Sequence, residues 1–232
     1  MVYMKKHCVL YLLFFLFLGM SEKSTAQDWA NLAKYENENN LLSTKQAGEK
    51  RIVLMGDSIT EFWLPIHPEF FAGKSYIDRG ISGQTTPQML IRFRPDVINL
   101  QPDVVVILAG VNDIAGNTGP TTTEKIFGNI SSMVELAKAN AIQVILCAVL
   151  PANYLYWRPN DKAAETIIQL NQLIQSYANQ QHIPYVDYHT AMADAKNGLP
   201  KRYSEDGVHP NLKGYQTMST LLEKAIAEVL KK

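Results

Sequence analysis

The chain has 232 residues, 47% hydrophobic and 19% charged, which is enough for one well-buried domain and short for two. Lysine and arginine together number 22, as do aspartate and glutamate, so the formal net charge at pH 7 is zero. No global field therefore favours nucleic acid or an anionic membrane, and we expect no nucleic-acid partner.

The first 26 residues have the pattern of a secretory signal peptide. Lys5 and Lys6 precede an apolar stretch over residues 8–20, and Ser24 and Ala26 stand at the −3 and −1 positions of a cleavage site after Ala26. The apolar stretch is short for a membrane span, and polar residues follow it at once. We expect a periplasmic or secreted protein without stable membrane insertion after cleavage; an uncleaved membrane anchor is the alternative.

Short apolar runs alternate with longer segments of helical spacing through the rest of the chain. Residues 28–47 are polar and are predicted to be helical. Runs rich in β-branched residues predict strands at residues 51–55, 75–78, 104–109, 142–149 and 183–186. Apolar residues on one face predict helices at residues 123–140, 161–181 and 212–230.

Strands that alternate with helices indicate right-handed βαβ units and a parallel sheet covered on both faces. The runs at 104–109 and 142–149 are almost continuously apolar, as is typical of strands buried on both sides. The predicted fold class is α/β, a three-layer α/β/α sandwich with a five-stranded parallel sheet. Because no linker, repeat or low-complexity segment divides the chain, residues 27–232 are predicted to form one domain.

Small polar clusters follow the first three predicted strands, at residues 56–58, 79–83 and 110–113. Functional groups of parallel sheets lie on loops that leave the carboxyl ends of the strands, so these clusters are expected to meet at one edge. The segment 206–209, which precedes the last predicted helix, can return to the same edge. The convergence of several clusters at one edge is stronger evidence for a catalytic site than any one cluster alone.

The residues of these clusters suit acyl transfer, which needs a nucleophile, a base, a group that orients the base, and donors for an oxyanion. Ser58 stands where a strand ends and a helix begins, although Ser58 or Asp57 could simply cap that helix. Asp206 precedes His209 by three residues, and Gly207 permits a tight turn between them. The carboxylate can then orient the imidazole toward Ser58; a solvated surface loop is the alternative.

Further donors are available at the same predicted edge. Gly83 can present its backbone N–H, Asn112 carries a side-chain amide, and the Ser58 N–H lies at a helix N-terminus, where negative charge is favoured. Together they would form an oxyanion hole with three donors. Gly83 and Asn112 could instead be ordinary turn residues.

The segments 56–58, 80–86, 110–113 and 206–209 resemble, in order, the four motif blocks of the SGNH (GDSL-type) hydrolase family. The resemblance extends over residues 50–230, and Ile59 replaces the leucine of the GDSL name. It implies a flavodoxin-like sheet and the absence of a metal or organic cofactor.

The same resemblance implies a role for each matching residue. Ser58 would be the nucleophile, His209 the base and Asp206 the residue that orients it. Gly83 and Asn112 would join the Ser58 N–H as oxyanion donors.

An aromatic segment at residues 153–159 follows the fourth predicted strand, again at the functional edge. Tyr154, Trp157 and Arg158 are candidate substrate contacts, because aromatic rings and an arginine can stack on a sugar or bind an anion. Arg79, beside the second cluster, is a further candidate. The alternative is that one or two of these rings pack beneath the loop.

The resulting hypothesis is an exported serine hydrolase that cleaves small acyl esters, above all acetyl esters of carbohydrate, through an acyl-enzyme. Its partner would be an oligosaccharide or another small-molecule ester. A lysophospholipase or thioesterase with the same triad is the first alternative, and a non-catalytic carbohydrate-binding module on the same fold is the second. The lack of an obvious long apolar lid segment favours small acyl groups.

Overall fold

A parallel sheet forms the centre of the computed structural model, which describes residues 28–42, 44–159 and 162–231. The predicted signal peptide lies outside the described residues. The strands are β1 (Ile52–Gly56), β2 (Tyr76–Gly80), β3 (Val104–Leu108), β4 (Gln143–Cys147) and β5 (Tyr185–Val186). They pair in the order β2-β1-β3-β4-β5, all parallel. This is the flavodoxin-like order, and it confirms the predicted fold class.

Nine α-helices surround the sheet within the described part of the chain. They are α1 (Glu36–Leu41), α2 (Ser58–Glu61), α3 (Trp63–Ile66), α4 (Thr86–Asp96), α5 (Val111–Ile114), α6 (Thr123–Ala139), α7 (Ala163–Gln181), α8 (Tyr188–Met192) and α9 (Leu212–Val229). Short 3₁₀ turns occupy Leu32–Lys34, Pro68–Phe70 and Ile98–Leu100. None of these helices has the length and hydropathy needed to span a bilayer.

The long helices form a layer on each face of the sheet. Helix α6 packs against α4 and α7, whereas α9 packs against α3, α8 and the strands β4 and β5. Every residue of β1 and β3 is buried. Two-sided burial explains why their sequences are continuously apolar rather than alternating.

Two of the differences from the sequence prediction have a clear physical reason. The helix expected over residues 28–47 is limited to the turn Leu32–Lys34 and α1, because Asn31 is left-handed and Leu42 is extended. Helix α4 was not predicted, because its sequence has no clear apolar period. Its inner face includes the buried ion pair Arg92–Asp96, with an N–O distance of 3.0 Å. Its start is fixed by a capping box formed by Thr85 and Gln88.

Strands β1, β2 and β3 end at the same level. Gly56, the last residue of β1, pairs with Gly80 of β2 and with Leu108 of β3. The loops that follow these strands therefore open at one edge of the sheet, which is where the candidate site is built.

Candidate active site

Ser58 is the first residue of α2, directly after β1. The Asp57 carboxylate accepts a hydrogen bond from the Ile59 N–H at 3.0 Å and so caps the helix. The capping alternative is therefore realised by Asp57, which leaves the Ser58 hydroxyl available. The first N–H groups of a helix have no partner within it, so the Ser58 N–H lies where an anion is favoured.

A close approach of two backbones holds α2 in place. A Cβ atom on Gly80 would lie 2.1 Å from the Glu61 nitrogen and 2.6 Å from the Asp57 oxygen. Only glycine lets the end of β2 lie this close to α2. The Gly56 and Gly80 positions thus bring the first two polar clusters together.

Three side chains at this edge form a hydrogen-bonded series. The Ser58 Oγ lies 2.9 Å from His209 Nε2, and His209 Nδ1 lies 2.7 Å from Asp206 Oδ2. Because a carboxylate only accepts, the Nδ1 proton faces Asp206, and the Nε2 lone pair is left for the serine hydroxyl. Sequence separation between the serine and the histidine is 151 residues.

The turn that carries Asp206 and His209 is held by the second oxygen of the same carboxylate. Asp206 Oδ1 accepts from the backbone N–H groups of Val208 at 2.9 Å and His209 at 2.8 Å, and from the Ser204 hydroxyl at 3.0 Å. Gly207 has φ +80°, a conformation that glycine adopts without strain. Although partial burial opposes ionisation, the hydrogen bonds from His209 and Val208 lower the pKa of Asp206 to about 2.

A cleft of about 530 Å³ opens above these groups. Ser58, Gly83, Asn112 and His209 all line it, so the two candidate oxyanion donors share the cavity with the serine and the imidazole. Phe62 forms part of its wall, with its ring centroid 5.5 Å from that of His209.

The loop after β3 is tied to the start of α4. The Asp113 carboxylate accepts from the Thr86 N–H at 2.9 Å and from the Thr86 hydroxyl at 2.6 Å. Burial raises the pKa of Asp113 to about 6, although these hydrogen bonds oppose the shift. Its neighbour Asn112 is buried and donates from Nδ2 to the Gln84 oxygen at 3.1 Å. Asp113 thus braces the loop, and Asn112 faces the cleft.

Comparison with known families identifies the protein class. The model of the GDSL-like lipase/acylhydrolase family matches residues 54–217, a range that includes every residue lining the cleft. The chain belongs to this family. It is therefore a carboxylic ester hydrolase by class, as the four motif blocks suggested.

The GDSL hydrolase is also similar to individual proteins. A candidate acylhydrolase of Bacteroides fragilis NCTC 9343 superposes with a TM-score of 0.87 at 49% identity, covering 88% of this chain and 99% of that chain. An acetylxylan esterase of Geobacillus stearothermophilus is 26% identical over 66% of this chain and 72% of its own length. The thioesterase 1/protease 1/lysophospholipase L1 of Escherichia coli K12 is 26% identical over 74% of this chain and 80% of its own length.

Only some of the predicted contact residues in the aromatic segment after β4 line the cleft of the GDSL hydrolase. Trp157 lines the cleft, as expected, and its neighbour Tyr156 does so too, with the two ring centroids 5.0 Å apart. Tyr154 and Arg158 are exposed and lie outside the lining of this cleft, so their contact with a substrate stays a prediction. Side-chain direction within a loop was not readable from the sequence.

Arg79 was wrong as a substrate contact, because its side chain is buried outside the cleft lining. The segment 28–42 lies against the end of β2 and covers Arg79, which is 3% exposed. Its Nε donates to Asn39 Oδ1 at 2.9 Å, and its guanidinium lies 4.5 Å from the centre of the Tyr35 ring. The Tyr35 hydroxyl in turn donates to the Gly80 oxygen. The arginine therefore anchors the N-terminal segment and does not reach the cleft.

Asn117 is a cleft residue that the sequence motifs did not include. It follows α5 and hydrogen-bonds to both candidate oxyanion segments and to Trp157. No motif block marks it, and an asparagine in a loop is ordinarily read as a turn residue.

Proposed function

We propose that this GDSL hydrolase cleaves small acyl esters, principally acetyl esters of carbohydrate, with Ser58 as nucleophile, His209 as base and Asp206 as the group that orients it. The observation that carries the proposal is the continuous hydrogen-bonded series from Ser58 Oγ to Asp206 Oδ2, at 2.9 Å and 2.7 Å, on the floor of the cleft. Such an arrangement is what a serine acyl-enzyme mechanism requires.

The reaction follows from this geometry. His209 Nε2 takes the hydroxyl proton as Ser58 Oγ attacks the ester carbonyl, and the Asp206 carboxylate stabilises the imidazolium that forms. The tetrahedral intermediate collapses when His209 returns the proton to the leaving alcohol. Water then repeats the two steps on the acyl-enzyme and releases the carboxylic acid.

The oxyanion is assigned to three donors around the serine: the N–H groups of Ser58 and Gly83 and the Asn112 side-chain amide. The placement of Ser58 at the start of α2 adds the positive end of the backbone dipoles to this position. Asn112 is only 4% exposed, so its N–H acts at low local dielectric, where a hydrogen bond to an anion is strong.

Carbohydrate is the favoured alcohol because aromatic rings flank the reacting groups. Phe62, Tyr156 and Trp157 line the cleft, and rings of this kind stack on the apolar faces of sugars. The similarity to the acetylxylan esterase supports acetyl as the acyl group that is transferred to Ser58 and then to water. The signal pattern at residues 1–26 supports the proposal that this hydrolase acts in the periplasm or outside the cell.

A Ser58→Ala variant tests the nucleophile. We expect kcat for 4-nitrophenyl acetate to fall on the order of 10⁶-fold, because the serine acts as one unit with its base. Ser131→Ala, on helix α6 and outside the cleft lining, is the matched control and should retain full activity. A fluorophosphonate probe should label the wild-type protein and not the Ser58 variant. Turnover by Ser58→Ala excludes the proposed nucleophile, and an unlabelled wild-type protein favours a non-catalytic module.

Substrate class needs a separate measurement. We expect higher kcat/KM for 4-nitrophenyl acetate than for the octanoate, and deacetylation of acetylated xylo-oligosaccharides. A preference for octanoate together with hydrolysis of lysophospholipids would instead support the thioesterase and lysophospholipase alternative, to which the Escherichia coli relative belongs.

A further inference from the structure

Three side chains connect the aromatic wall of the cleft to the proposed oxyanion donor. Trp157 Nε1 donates to Asn117 Oδ1 at 3.0 Å, and Asn117 Nδ2 donates to Asn112 Oδ1 at 3.0 Å. Asn112 Nδ2 then donates to the Gln84 backbone oxygen at 3.1 Å. The two asparagines thus lie in one hydrogen-bonded chain whose first member contacts the substrate space.

The chemistry of the two ends determines how both amides point. An indole N–H can only donate, so the oxygen of Asn117 faces Trp157 and its NH₂ faces Asn112. Asn112 must then present its oxygen to Asn117 and its NH₂ to the Gln84 carbonyl, which only accepts. One N–H of Asn112 is used by Gln84, and the other is left for the oxyanion. A reversed Asn112 amide would place its oxygen at that position and repel the developing charge.

Asn117 also holds the second candidate donor. Its Nδ2 donates to the backbone oxygen of Gly83 at 3.0 Å, and its backbone N–H donates to the backbone oxygen of Asn112 at 3.0 Å. Every polar atom of the Asn117 side chain is therefore used for contacts with Gly83, Asn112 and Trp157.

We propose that Asn117 and Trp157 are positioning residues that align the Asn112 amide and the Gly83 segment for the oxyanion. The ring of Trp157 contacts the substrate space, whereas its N–H acts through Asn117 on transition-state stabilisation. This inference rests on the proposed function and assigns a role to two residues outside the triad and the oxyanion donors.

An Asn117→Asp variant tests the donor side of the chain. The carboxylate has the same shape and still accepts from Trp157, but it cannot donate to Asn112 Oδ1 or to the Gly83 oxygen. We expect kcat for 4-nitrophenyl acetate to fall roughly a hundredfold, comparable to the loss of an oxyanion donor, with KM changed less than about threefold.

A Trp157→Phe variant tests the other end, because it keeps an aromatic ring at the cleft and removes the indole N–H. We expect kcat to fall roughly fivefold to tenfold, the effect of one hydrogen bond. In an Asn112→Ala background the same substitution should lower kcat clearly less than it does in the wild type, because the Asn112 amide is gone and only the Gly83 segment remains for Asn117 to position. Trp29→Phe, outside the cleft lining, is the matched control and should leave kcat unchanged.

The outcomes separate this inference from the proposed function. Activity of Asn117→Asp above about a third of the wild type, an equal Trp157→Phe effect in both backgrounds, or a change confined to KM would overturn the inference. If Asn117→Asp does not fold, as judged by circular dichroism, the cycle between Trp157 and Asn112 decides. An inactive Ser58→Ala beside an unaffected Asn117→Asp refutes only the positioning roles, whereas an active Ser58→Ala refutes the mechanism itself.

Discussion

The two oxygens of Asp206 have separate tasks, and an Asp206→Asn substitution separates them. Oδ1 holds the turn through the N–H groups of Val208 and His209, while Oδ2 lies 2.7 Å from His209 Nδ1. An asparagine can keep Oδ1 in place and put an NH₂ where Oδ2 was. That NH₂ donates to Nδ1, so the ring proton moves to Nε2, which can then no longer accept the proton of Ser58.

The expected loss is large because the wrong tautomer dominates. We predict a fall in kcat/KM of about 10³–10⁴, equivalent to roughly 4–5.5 kcal/mol of transition-state stabilisation. The turn should remain folded, since the hydrogen bonds to Oδ1 survive. The wild-type carboxylate, with its pKa held at about 2, stays ionised throughout the neutral range, so its titration does not contribute to the pH profile there.

The assay is the initial rate of 4-nitrophenyl acetate hydrolysis at pH 7.5, with circular dichroism as a check on folding. Asp194→Asn is the matched control, since Asp194 Oδ1 also accepts two backbone N–H bonds, from Lys196 at 2.8 Å and Gly198 at 2.9 Å, outside the cleft lining. The control should keep wild-type activity. A folded Asp206→Asn protein with more than about a tenth of wild-type kcat/KM would refute the tautomer argument.

Three other predictions concern single groups. Asn112→Ala should lower kcat on the order of a hundredfold with little change in KM, and steady-state kinetics that show only a KM effect would contradict its oxyanion role. Burial raises the pKa of Asp57 to about 7, so the folded protein retains a proton that the unfolded chain releases, and stability falls as pH rises from about 4 to about 7. Urea unfolding should therefore show Asp57→Asn gaining roughly 1–4 kcal/mol relative to wild type between pH 4.5 and pH 8, and an equal difference at both pH values is the opposing result. Gly80→Ala should cost about 3 kcal/mol or more, because its Cβ meets the Glu61 backbone at 2.1 Å. Gly128→Ala, with nothing within 4 Å, should gain about 0.5–1 kcal/mol, and similar melting temperatures for the two variants would count against this packing.

The strands were predictable because two-sided burial leaves a direct trace in the sequence. The apolar runs 104–109 and 142–149 contain β3 and β4 but extend beyond them, since Ala109, Ala148 and Val149 are also buried. Helix α4 could not be predicted from its apolar pattern, because a buried ion pair replaces part of its apolar stripe. Periodicity reports burial of apolar groups, and it cannot recognise a helix whose inner face is polar.

Some residues of the candidate site could be predicted from the sequence and others could not. Ser58 could be predicted because it follows β1, and Asp206 and His209 could be predicted because their spacing before α9 suits a carboxylate that orients an imidazole; hydrogen bonds join the three side chains in the structure. Arg79 lies at a strand end too, but its direction depends on the segment 28–42, whose packing leaves no periodic signal. Asn117 was missed because it acts through other residues, so no spacing rule applies to it.

The distance in sequence between the serine and the imidazole has a consequence for synthesis. The proposed nucleophile Ser58 follows β1, whereas the imidazole of His209, 151 residues later, precedes α9. A nascent or truncated chain can complete most of the sheet and still have no competent base beside its serine. Ester hydrolysis would therefore begin only when the carboxyl-terminal segment that carries His209 docks. The onset of activity during refolding would then report the final stage of folding.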